Sequence, residues 1–389
     1  MLEGRIDSSG ELLEMLWIER LVKVYGDGER LLSAVAAGDG WPLWGEDGYL
    51  VVHLANGDET FWIKGDHNHW DAQSMHRLGN LWWALIRRDH PGELRYKISN
   101  NGGYDWADPY ARAYRFEDGQ EVSLIQPSAG HLERWLEVGN SEIVPRTLRV
   151  WVPERHATHF LYVHDGQNLF HPEAIWGGWN LHHHVGPSTL VVGIDNSPDR
   201  MNEYTHVEDQ VFGGRIGGRG ADYARYVEDT VRPFIELRYG TPKVVGVMGS
   251  SLGGLMAFYQ VHLYPESYDF AASLSGTFGW GSFGQHTETM IDIYRSMSKV
   301  RTRLYLDSGG GTEDPCADLD GDGLKDDSPG GRDNYCANRQ FADELAAAGY
   351  EWDRDLWHWY EPDAPHAEWA WSERVWRPLE IFEDIVPQG

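Results

Sequence analysis

From Arg146 onward, short uninterrupted apolar runs alternate with segments of helical periodicity, and this pattern constrains the fold more than any other feature. The apolar runs predict strands at 147–152, 158–163, 190–194, 243–248, 270–274, 303–307 and 355–360. The intervening segments predict helices at 221–239, 254–263, 287–298, 337–348 and 368–385. Strands that are apolar on both faces and separated by helices are typical of a mostly parallel sheet covered on both sides. We therefore predict an α/β domain over residues 146–389.

The preceding part of the chain follows a period of two. Segments 49–55, 60–64, 81–87 and 93–99 are predicted strands separated by Gly, Asn and Asp turns, which indicates a small antiparallel β-sandwich. Residues 11–26 predict an amphipathic helix before them. We therefore divide the chain into a helix plus β domain (1–125), a linker with an entering strand (126–145) and the α/β domain (146–389).

Composition excludes several functional classes. The 389 residues include 33 Lys and Arg against 61 Asp and Glu, a net charge of −28, and no basic cluster is present. A nucleic-acid binder needs cationic groups to neutralise phosphates, and an anionic membrane surface selects the same groups. We expect neither nucleic acid nor membrane as a partner. The 41% hydrophobic content is sufficient for a core and excludes disorder.

The hexapeptide at 249–254, GSSLGG, fits the pattern G-x-S-x-G. It lies between a predicted buried strand and a predicted helix, the context in which this motif presents a nucleophilic serine on a sharp turn. The helix N-terminus that follows favours developing negative charge. The pattern predicts Ser251 as a nucleophile, and the alternative is an ordinary Gly/Ser turn.

A nucleophilic serine needs a base, and the chain order expected here is serine, acid, histidine. Among the 18 histidines, His366 follows the last predicted strand, whereas His358 lies inside it. We predict His366 as the base. The run His182, His183 and His184 is not predicted to bind metal, because three consecutive residues cannot all face one ion.

The acid cannot be chosen from the pattern alone. The loop after the strand at 303–307 is rich in carboxylates, and Asp307 ends the strand itself. The loop candidates are Glu313, Asp314, Asp318, Asp320, Asp322, Asp326, Asp327 and Asp333.

Part of this loop reads D-x-D-x-D-G-x-x-D, which is typical of calcium loops. The predicted ligands are the carboxylates of Asp318, Asp320, Asp322 and Asp326, with Asp327 as the alternative to Asp326, and the carbonyl of Leu324. The alternative is a solvated acidic loop. Its flanking cysteines, Cys316 and Cys336, are the only two in the chain, and we predict that they form a disulfide; the alternative is two free thiols. We expect structural Ca²⁺ and no organic cofactor.

Several separated motifs together resemble the esterase D family, specifically its enterochelin esterase-like branch. They are 164–170 (HDGQNLF), 192–196 (VGIDN) with 200–204 (RMNEY), the turn at 249–254, 305–309 (YLDSG) and 366–371 (HAEWAW). Upstream, 94–96 (LRY) and 108–112 (DPYAR) resemble the immunoglobulin-like domain that precedes the catalytic domain in this branch. The resemblance implies an α/β-hydrolase domain preceded by a small immunoglobulin-like β-sandwich.

The resemblance also implies further site residues. The oxyanion hole would be the backbone N–H of Leu252 with that of Gly166 or Gln167. The family's acid lies just before the next helix, where this chain has Asp333. The acidic insertion at 312–332 departs from the family and leaves Asp314 as a rival acid.

Taken together, these features predict a serine carboxylic-ester hydrolase that works through an acyl-enzyme with Ser251, His366 and Asp333. The expected substrate is a small-molecule or carbohydrate-linked ester of feruloyl, acetyl or siderophore type. One alternative is an acyltransferase on the same triad, and another is a non-catalytic carbohydrate-binding protein. The sequence carries no signal for the oligomeric state.

The cysteine pair and the calcium motif favour an extracellular or periplasmic protein over a cytoplasmic one. Because the first residues are polar, we expect that an export leader is missing from this sequence, and that Leu2–Arg5 is a cloning remnant.

Overall fold

The computed structural model describes residues 10–45, 48–87, 92–174, 177–211, 213–311, 313–328 and 333–386, with only the backbone course for 10–17. The predicted cloning remnant and both ends of the insertion at 312–332 lie outside the described residues. The chain divides into two compact units, Met1–Val138 and Gly139–Gly389. This boundary falls within the segment 126–145 that the sequence assigns to a linker.

The first unit contains two antiparallel sheets and two helices. Its elements are α1 (Gly10–Tyr25), α2 (Gly28–Ala37), β1 (Leu43–Gly45), β2 (Gly48–Leu54), β3 (Phe61–Gly65), β4 (Gln73–Ser74), β5 (His76–Leu78), β6 (Leu81–Arg87), β7 (Leu94–Asn100), β8 (Asp105–Trp106), β9 (Ala113–Glu117), β10 (Gln120–Ile125) and β11 (His131–Val138). One sheet has the order β1-β2-β6-β5, and the other has β11-β9-β10-β7-β3-β4 with β8 beside β7.

Strand β2 is buried on both faces, which explains its unbroken apolar run. Tyr49 and Val51 belong to a core shared with the second sheet, including Ile98. Leu50 and Val52 belong to the core that contains α2. Helix α2 is therefore part of this unit's folding core, although the sequence pattern predicts only one helix here.

The second unit alternates strands and helices. Its elements are β12 (Arg146–Val152), β13 (His159–His164), β14 (Thr189–Ile194), α3 (Arg200–Glu203), β15 (Glu208–Val211), β16 (Gly214–Gly217), α4 (Gly220–Tyr226), α5 (Arg232–Tyr239), β17 (Val244–Ser250), α6 (Leu252–Leu263), β18 (Phe270–Leu274), α7 (Met290–Ser296), β19 (Arg303–Gly309), α8 (Tyr335–Ala347), β20 (Leu356–Glu361), α9 (Glu368–Ser372) and α10 (Trp376–Glu383). The α/β architecture agrees with the sequence pattern.

The large sheet of this unit has the order β20-β19-β18-β17-β13-β14-β12. Neighbouring strands from β20 to β14 pair in parallel, and β12 pairs with β14 antiparallel. Because parallel strands end at the same edge, the loops after β13, β17, β18, β19 and β20 converge at one edge of the sheet. These loops carry the candidate site residues.

Three predicted elements differ from the structure. Strand β11 lies in the segment 126–145, where a linker and a strand entering the second unit are predicted, but it belongs to the first unit, with Leu132 and Trp135 buried. A π-helical turn, Val227–Val231, separates α4 and α5 within the predicted helix at 221–239. The predicted helix at 368–385 is two helices, because Pro378 has no N–H to donate and so stops the helix from running through.

The described helices include none with the length and apolar character needed to cross a membrane. Cys316 and Cys336 form a disulfide, which confirms the predicted bridge and excludes two free thiols.

Breaking this disulfide should destabilise the fold. Its cysteines are 20 residues apart, so the Cys316→Ser/Cys336→Ser variant should lower the free energy of unfolding by about 3 kcal/mol through loop entropy in the unfolded chain. Urea unfolding with and without reductant measures this loss. The double variant controls for reductant because it should not respond, and equal wild-type curves in both conditions would contradict the prediction.

Candidate active site

Ser251 stands on a tight turn between β17 and α6. Its backbone has φ 55° and ψ −122°, a conformation that is costly for a residue with a side chain. The surrounding glycines make the turn possible: a Cβ at Gly249 would collide with the backbone of Gly253, and one at Gly254 would collide with Ser273 Oγ. The G-x-S-x-G-G spacing is therefore a requirement of close backbone packing.

The structure brings Ser251, His366 and Asp333 into one hydrogen-bonded chain. His366 Nε2 lies 2.9 Å from Ser251 Oγ, and His366 Nδ1 lies 2.6 Å from Asp333 Oδ1. His366 is 38% exposed, whereas the Asp333 side chain is fully buried. This geometry is the one expected of a nucleophile, a base and an acid that orients the base.

Asp333 is positioned by an unusual turn before α8. Both Asp333 (φ 67°) and Asn334 (φ 60°) adopt the left-handed conformation, which Asp and Asn tolerate better than most residues. The Asp333 Oδ2 atom accepts hydrogen bonds from Ser275 Oγ at 2.5 Å, from Gly309 N, and from Arg374 Nη2 at 3.1 Å. With Oδ2 held by three donors, Oδ1 is directed to His366.

Arg374 is a buried cation shared between two carboxylates. Its Nε atom donates to Asp307 Oδ1 at 3.0 Å, while Nη2 reaches Asp333. The Arg374 side chain is 2% exposed and both carboxylates are fully buried. Burial raises the pKa of Asp307 to about 6, against the opposing attraction of Arg374. One guanidinium thus provides a positive charge to both buried carboxyl groups, Asp307 and Asp333.

The rival acid Asp314 lies elsewhere. Its Oδ1 accepts hydrogen bonds from Cys316 N and Ser328 Oγ, both at 3.0 Å, and its Oδ2 accepts from Ser328 N at 2.9 Å. Asp314 therefore links two parts of the acidic insertion, near Cys316 and Ser328, by hydrogen bonds. The structure brings Asp333, rather than Asp314, to His366.

The three predicted oxyanion-hole residues lie at the starts of two helical turns. Leu252 is the first residue of α6, and Gly166 and Gln167 begin the 3₁₀ turn Gly166–Asn168. The first N–H groups of a helical turn have no acceptor within it and remain available to a ligand. The Gln167 side chain is occupied, since its Oε1 accepts from Asn196 N at 3.1 Å.

Asp165 fixes the start of this 3₁₀ turn. Its carboxylate forms a paired hydrogen bond with Arg200 Nε and Nη2 at 2.7 and 2.8 Å, and accepts from Asn196 Nδ2 at 2.6 Å. Burial opposes ionisation of Asp165, but the ion pair with Arg200 outweighs it and lowers the carboxyl pKa. A charged, rigid Asp165 holds the backbone of Gly166 in place.

Glu368 joins the histidine loop to the same segment. Its Oε1 accepts from Asn168 Nδ2 at 2.8 Å, and its Oε2 accepts from Trp179 Nε1. Glu368 is two residues after His366 and starts α9. The base and the predicted oxyanion segment are therefore linked through one buried carboxylate.

Several residues that contact the site have no role predicted from the sequence. Glu368 lies in the motif at 366–371, but the motif indicates no role for its side chain. Ser275 and Arg374 carry no local signal, because their contacts with Asp333 span 58 and 41 residues.

The acidic insertion gathers part of its predicted ligand set. Carboxylate oxygens of Asp318, Asp320 and Asp326 lie within 4.8 Å of one another. Asp322 is outside this group and lies 3.5 Å from His286 Nδ1. Hydrogen bonds from loop N–H groups to Asp318 and Asp326 also stabilise this conformation.

Helix α8 anchors the insertion. Besides the disulfide, Cys336 N donates to Asp327 Oδ1 at 2.8 Å. Gln340 accepts from Lys325 N at 2.8 Å and donates to Gly323 O at 2.9 Å. Leu324, whose carbonyl is a predicted ligand, has a buried side chain.

Comparison with known proteins identifies the family. A family model described as "Putative esterase" matches residues 139–377, more than half of the chain. The chain belongs to this esterase family. The resemblance to the esterase D group that the motifs indicate is thereby confirmed.

Individual relatives of this esterase are distant. The uncharacterized protein YbbA of Bacillus subtilis is 26% identical over 144 residues, which cover 34% of this chain and 57% of that protein. The match thus spans little more than half of the relative's length. An IroE-like serine hydrolase from Shewanella oneidensis has 18% identity and a TM-score of 0.49 over 67% of this chain and 82% of that one. An enterochelin esterase from Shigella flexneri has 15% identity and a TM-score of 0.46 over 88% and 95%.

Glu368 should give the protein a distinctive dependence of stability on pH. Burial raises its pKa from 4.5 to about 7, with nearby Asp165 acting in the same direction and Arg200 against it. The folded protein therefore keeps a proton that the unfolded chain releases, and its stability falls as pH rises from 4.5 to about 7. Relative to wild type, Glu368→Gln should gain about 2 kcal/mol across this window.

Denaturant unfolding at a series of pH values measures the difference between variant and wild type. The Glu368→Gln variant is expected to lose one hydrogen bond at every pH, which lowers its stability by a constant amount. The test is therefore how the difference in unfolding free energy between variant and wild type changes with pH, and not the absolute stability of the variant. Glu373→Gln, at an exposed position shortly after α9, is the matched control. A Glu368→Gln difference that does not change with pH would contradict the prediction.

Proposed function

We propose that this esterase-family chain is a serine carboxylic-ester hydrolase that works through an acyl-enzyme. The observation that carries the proposal is the hydrogen-bonded chain from Ser251 Oγ through His366 to Asp333. Such a chain removes the proton of the serine as it attacks, which an unassisted hydroxyl cannot achieve at neutral pH.

In the first half-reaction, Ser251 Oγ attacks the ester carbonyl and its proton passes to His366 Nε2. Asp333 stabilises the imidazolium that forms and keeps the ring oriented. The backbone N–H groups of Leu252 and of Gly166 or Gln167 donate to the oxyanion, where each donor is worth about 3 kcal/mol in the transition state. His366 then protonates the leaving alcohol.

In the second half-reaction, water gives a proton to His366 Nε2 and its oxygen attacks the acyl carbonyl. The tetrahedral intermediate collapses, the bond from the carbonyl carbon to Ser251 Oγ breaks, and Oγ recovers the proton from His366. The acid product leaves and the enzyme is restored.

We further propose an α/β-hydrolase assignment for the second unit and an immunoglobulin-like assignment for the first. The parallel strands ending at the site support the former, and two facing antiparallel sheets support the latter. As substrate we propose a small-molecule or carbohydrate-linked ester. The Cys316–Cys336 disulfide favours an extracellular or periplasmic location, because disulfides persist in oxidising compartments.

Replacing the nucleophile should abolish ester hydrolysis. For Ser251→Ala we expect kcat/KM on p-nitrophenyl acetate to fall by at least about 10⁴-fold with little change in melting temperature, because the acyl-enzyme cannot form. Labelling by a fluorophosphonate should disappear with it.

Ser250→Ala is the matched control, since this buried serine precedes the nucleophile in the same turn. It should keep labelling and turnover. Wild-type activity in Ser251→Ala would refute the proposed function, and product transfer to added sugar acceptors in place of water would make the enzyme an acyltransferase.

We also propose that the insertion binds Ca²⁺ structurally through Asp318, Asp320 and Asp326. Carboxylate oxygens are the ligands that Ca²⁺ prefers, and three of them converge here. The carbonyl of Leu324 would complete part of the shell. Asp322 would join after leaving His286. The ion would offset the mutual repulsion of these carboxylates and so stabilise the loop beside α8.

Adding calcium to protein that has been treated with a chelator should therefore raise its melting temperature. The gain should follow RT ln(1 + [Ca²⁺]/Kd), with about millimolar calcium needed at a weak site. Asp320→Asn should lose this response, while Asp229→Asn, at an exposed position on the π-helical turn, should keep it. Equal melting curves of the wild type in chelator and in calcium would contradict calcium binding and favour the alternative, a solvated acidic loop.

A further inference from the structure

The hydroxyl of Thr277 contacts the nucleophile. Thr277 Oγ1 lies 3.3 Å from Ser251 Oγ, and Thr277 N donates to Ser251 O at 3.2 Å. Ser251 Oγ thus has two side-chain partners, Thr277 and His366. The triad chemistry described above uses only His366.

The hydrogen positions follow from the charges along the chain. Ionised Asp333 can only accept a hydrogen bond, so the His366 Nδ1 atom at 2.6 Å carries a proton. In the neutral ring, Nε2 is then an acceptor, and Ser251 gives it the only hydroxyl hydrogen of the serine. Ser251 Oγ can therefore offer Thr277 only a lone pair, so Thr277 is the donor.

The turn that carries Thr277 is tightly held. Ser275, with φ 53°, donates its N–H to Asp307 O at 2.7 Å. Asn334 Nδ2 donates to Ser275 O at 3.1 Å, and Asn338 Nδ2 donates to Gly276 O at 2.9 Å. The Thr277 backbone is fixed by these contacts and by its own bond to Ser251, so the hydroxyl is held close to the nucleophile before any substrate binds.

We propose that Thr277 is a further catalytic residue, whose hydroxyl donates a hydrogen bond to Ser251 Oγ and promotes release of the acyl group. This inference rests on the proposed acyl-enzyme mechanism and assigns Thr277 to its second half. In the acyl-enzyme, Oγ is the ester oxygen. A donor to that oxygen withdraws electron density from the acyl carbonyl and makes it more susceptible to water.

The same hydrogen bond assists the collapse of the tetrahedral intermediate. The bond from the carbonyl carbon to Oγ breaks, its electron pair goes to Oγ, and the proton that neutralises Oγ comes from His366 Nε2. Thr277 keeps its own proton throughout and stabilises the charge that builds on Oγ. In the first half-reaction Oγ is the attacking atom, and a donor to its lone pair gives no comparable help.

Thr277 should therefore affect the two half-reactions unequally. For Thr277→Val, which removes the hydroxyl and keeps the shape, we expect kcat on p-nitrophenyl acetate to fall by about tenfold. We expect kcat/KM, which reports acylation, to change by less than about threefold, so that KM falls together with kcat. Stopped-flow traces should show a burst near one equivalent, and mass spectrometry should show accumulated acetyl-enzyme.

Matched variants separate this role from packing. Thr277→Ser should restore kcat and return the burst amplitude and the amount of acetyl-enzyme to the wild-type values. Thr287→Val removes a hydroxyl from the same loop, where Thr287 donates only to Gly281 O at 2.9 Å, and should keep the wild-type balance of kcat and KM.

Two outcomes would overturn the Thr277 proposal: an unchanged kcat in Thr277→Val, or equal losses in kcat and kcat/KM without a burst. Ser251→Ala is run in parallel to distinguish the two proposals. If Ser251→Ala is inactive while Thr277→Val behaves as wild type, only the role of Thr277 fails. If Ser251→Ala retains turnover, the proposed function fails with it.

Discussion

The two oxygens of the Asp333 carboxylate are bound differently, and the geometry of the site follows from that difference. Oδ2 is held by Arg374, Ser275 and the Gly309 backbone, whereas Oδ1 meets His366. A buried carboxylate without such donors would be protonated or displaced, because removing a charge from water costs several kcal/mol. The buried guanidinium of Arg374 is therefore needed to keep the Asp333 carboxylate charged where it meets His366.

Ser275 extends this dependence to the nucleophile. Its hydroxyl binds the acid, and the turn it begins ends at Thr277, which contacts Ser251 through both backbone and side chain. Loops from separate strands of the sheet are therefore connected before substrate arrives. Glu368 performs the corresponding connection between the base and the predicted oxyanion segment. Such cross-links keep the candidate catalytic groups at fixed separations, and fixed separation of reacting groups is a major source of rate enhancement in enzymes.

How much of this could be predicted depended on whether the signal was local. Ser251 and His366 were predictable because a strand, a glycine turn and a chain order mark them within a few residues. Asp333 was only one of two acids, since the insertion separates it from β19. Arg374 and Ser275 were not predictable, because packing between distant segments creates their roles. In the first unit, α2 is not among the predicted helices, although Asp27 caps its start and Leu31, Leu32 and Val35 form an apolar stripe. Strand β11 lies where a strand entering the second unit is predicted, but it belongs to the first unit.

The insertion and Asp333 are held by largely different contacts. Its carboxylates face one another, the loop backbone or, in the case of Asp322, His286, and its attachments to α8 are the disulfide, Asp327 and Gln340. Asp333 instead takes its partners from β19, from the turn after β18 and from the segment between α9 and α10. Among the residues that the structure describes, the two sets of contacts come together at the start of α8, where Asp333 and Cys336 are three residues apart. The candidate acid is therefore positioned by the sheet and its loops, and the insertion is joined to it at the start of α8.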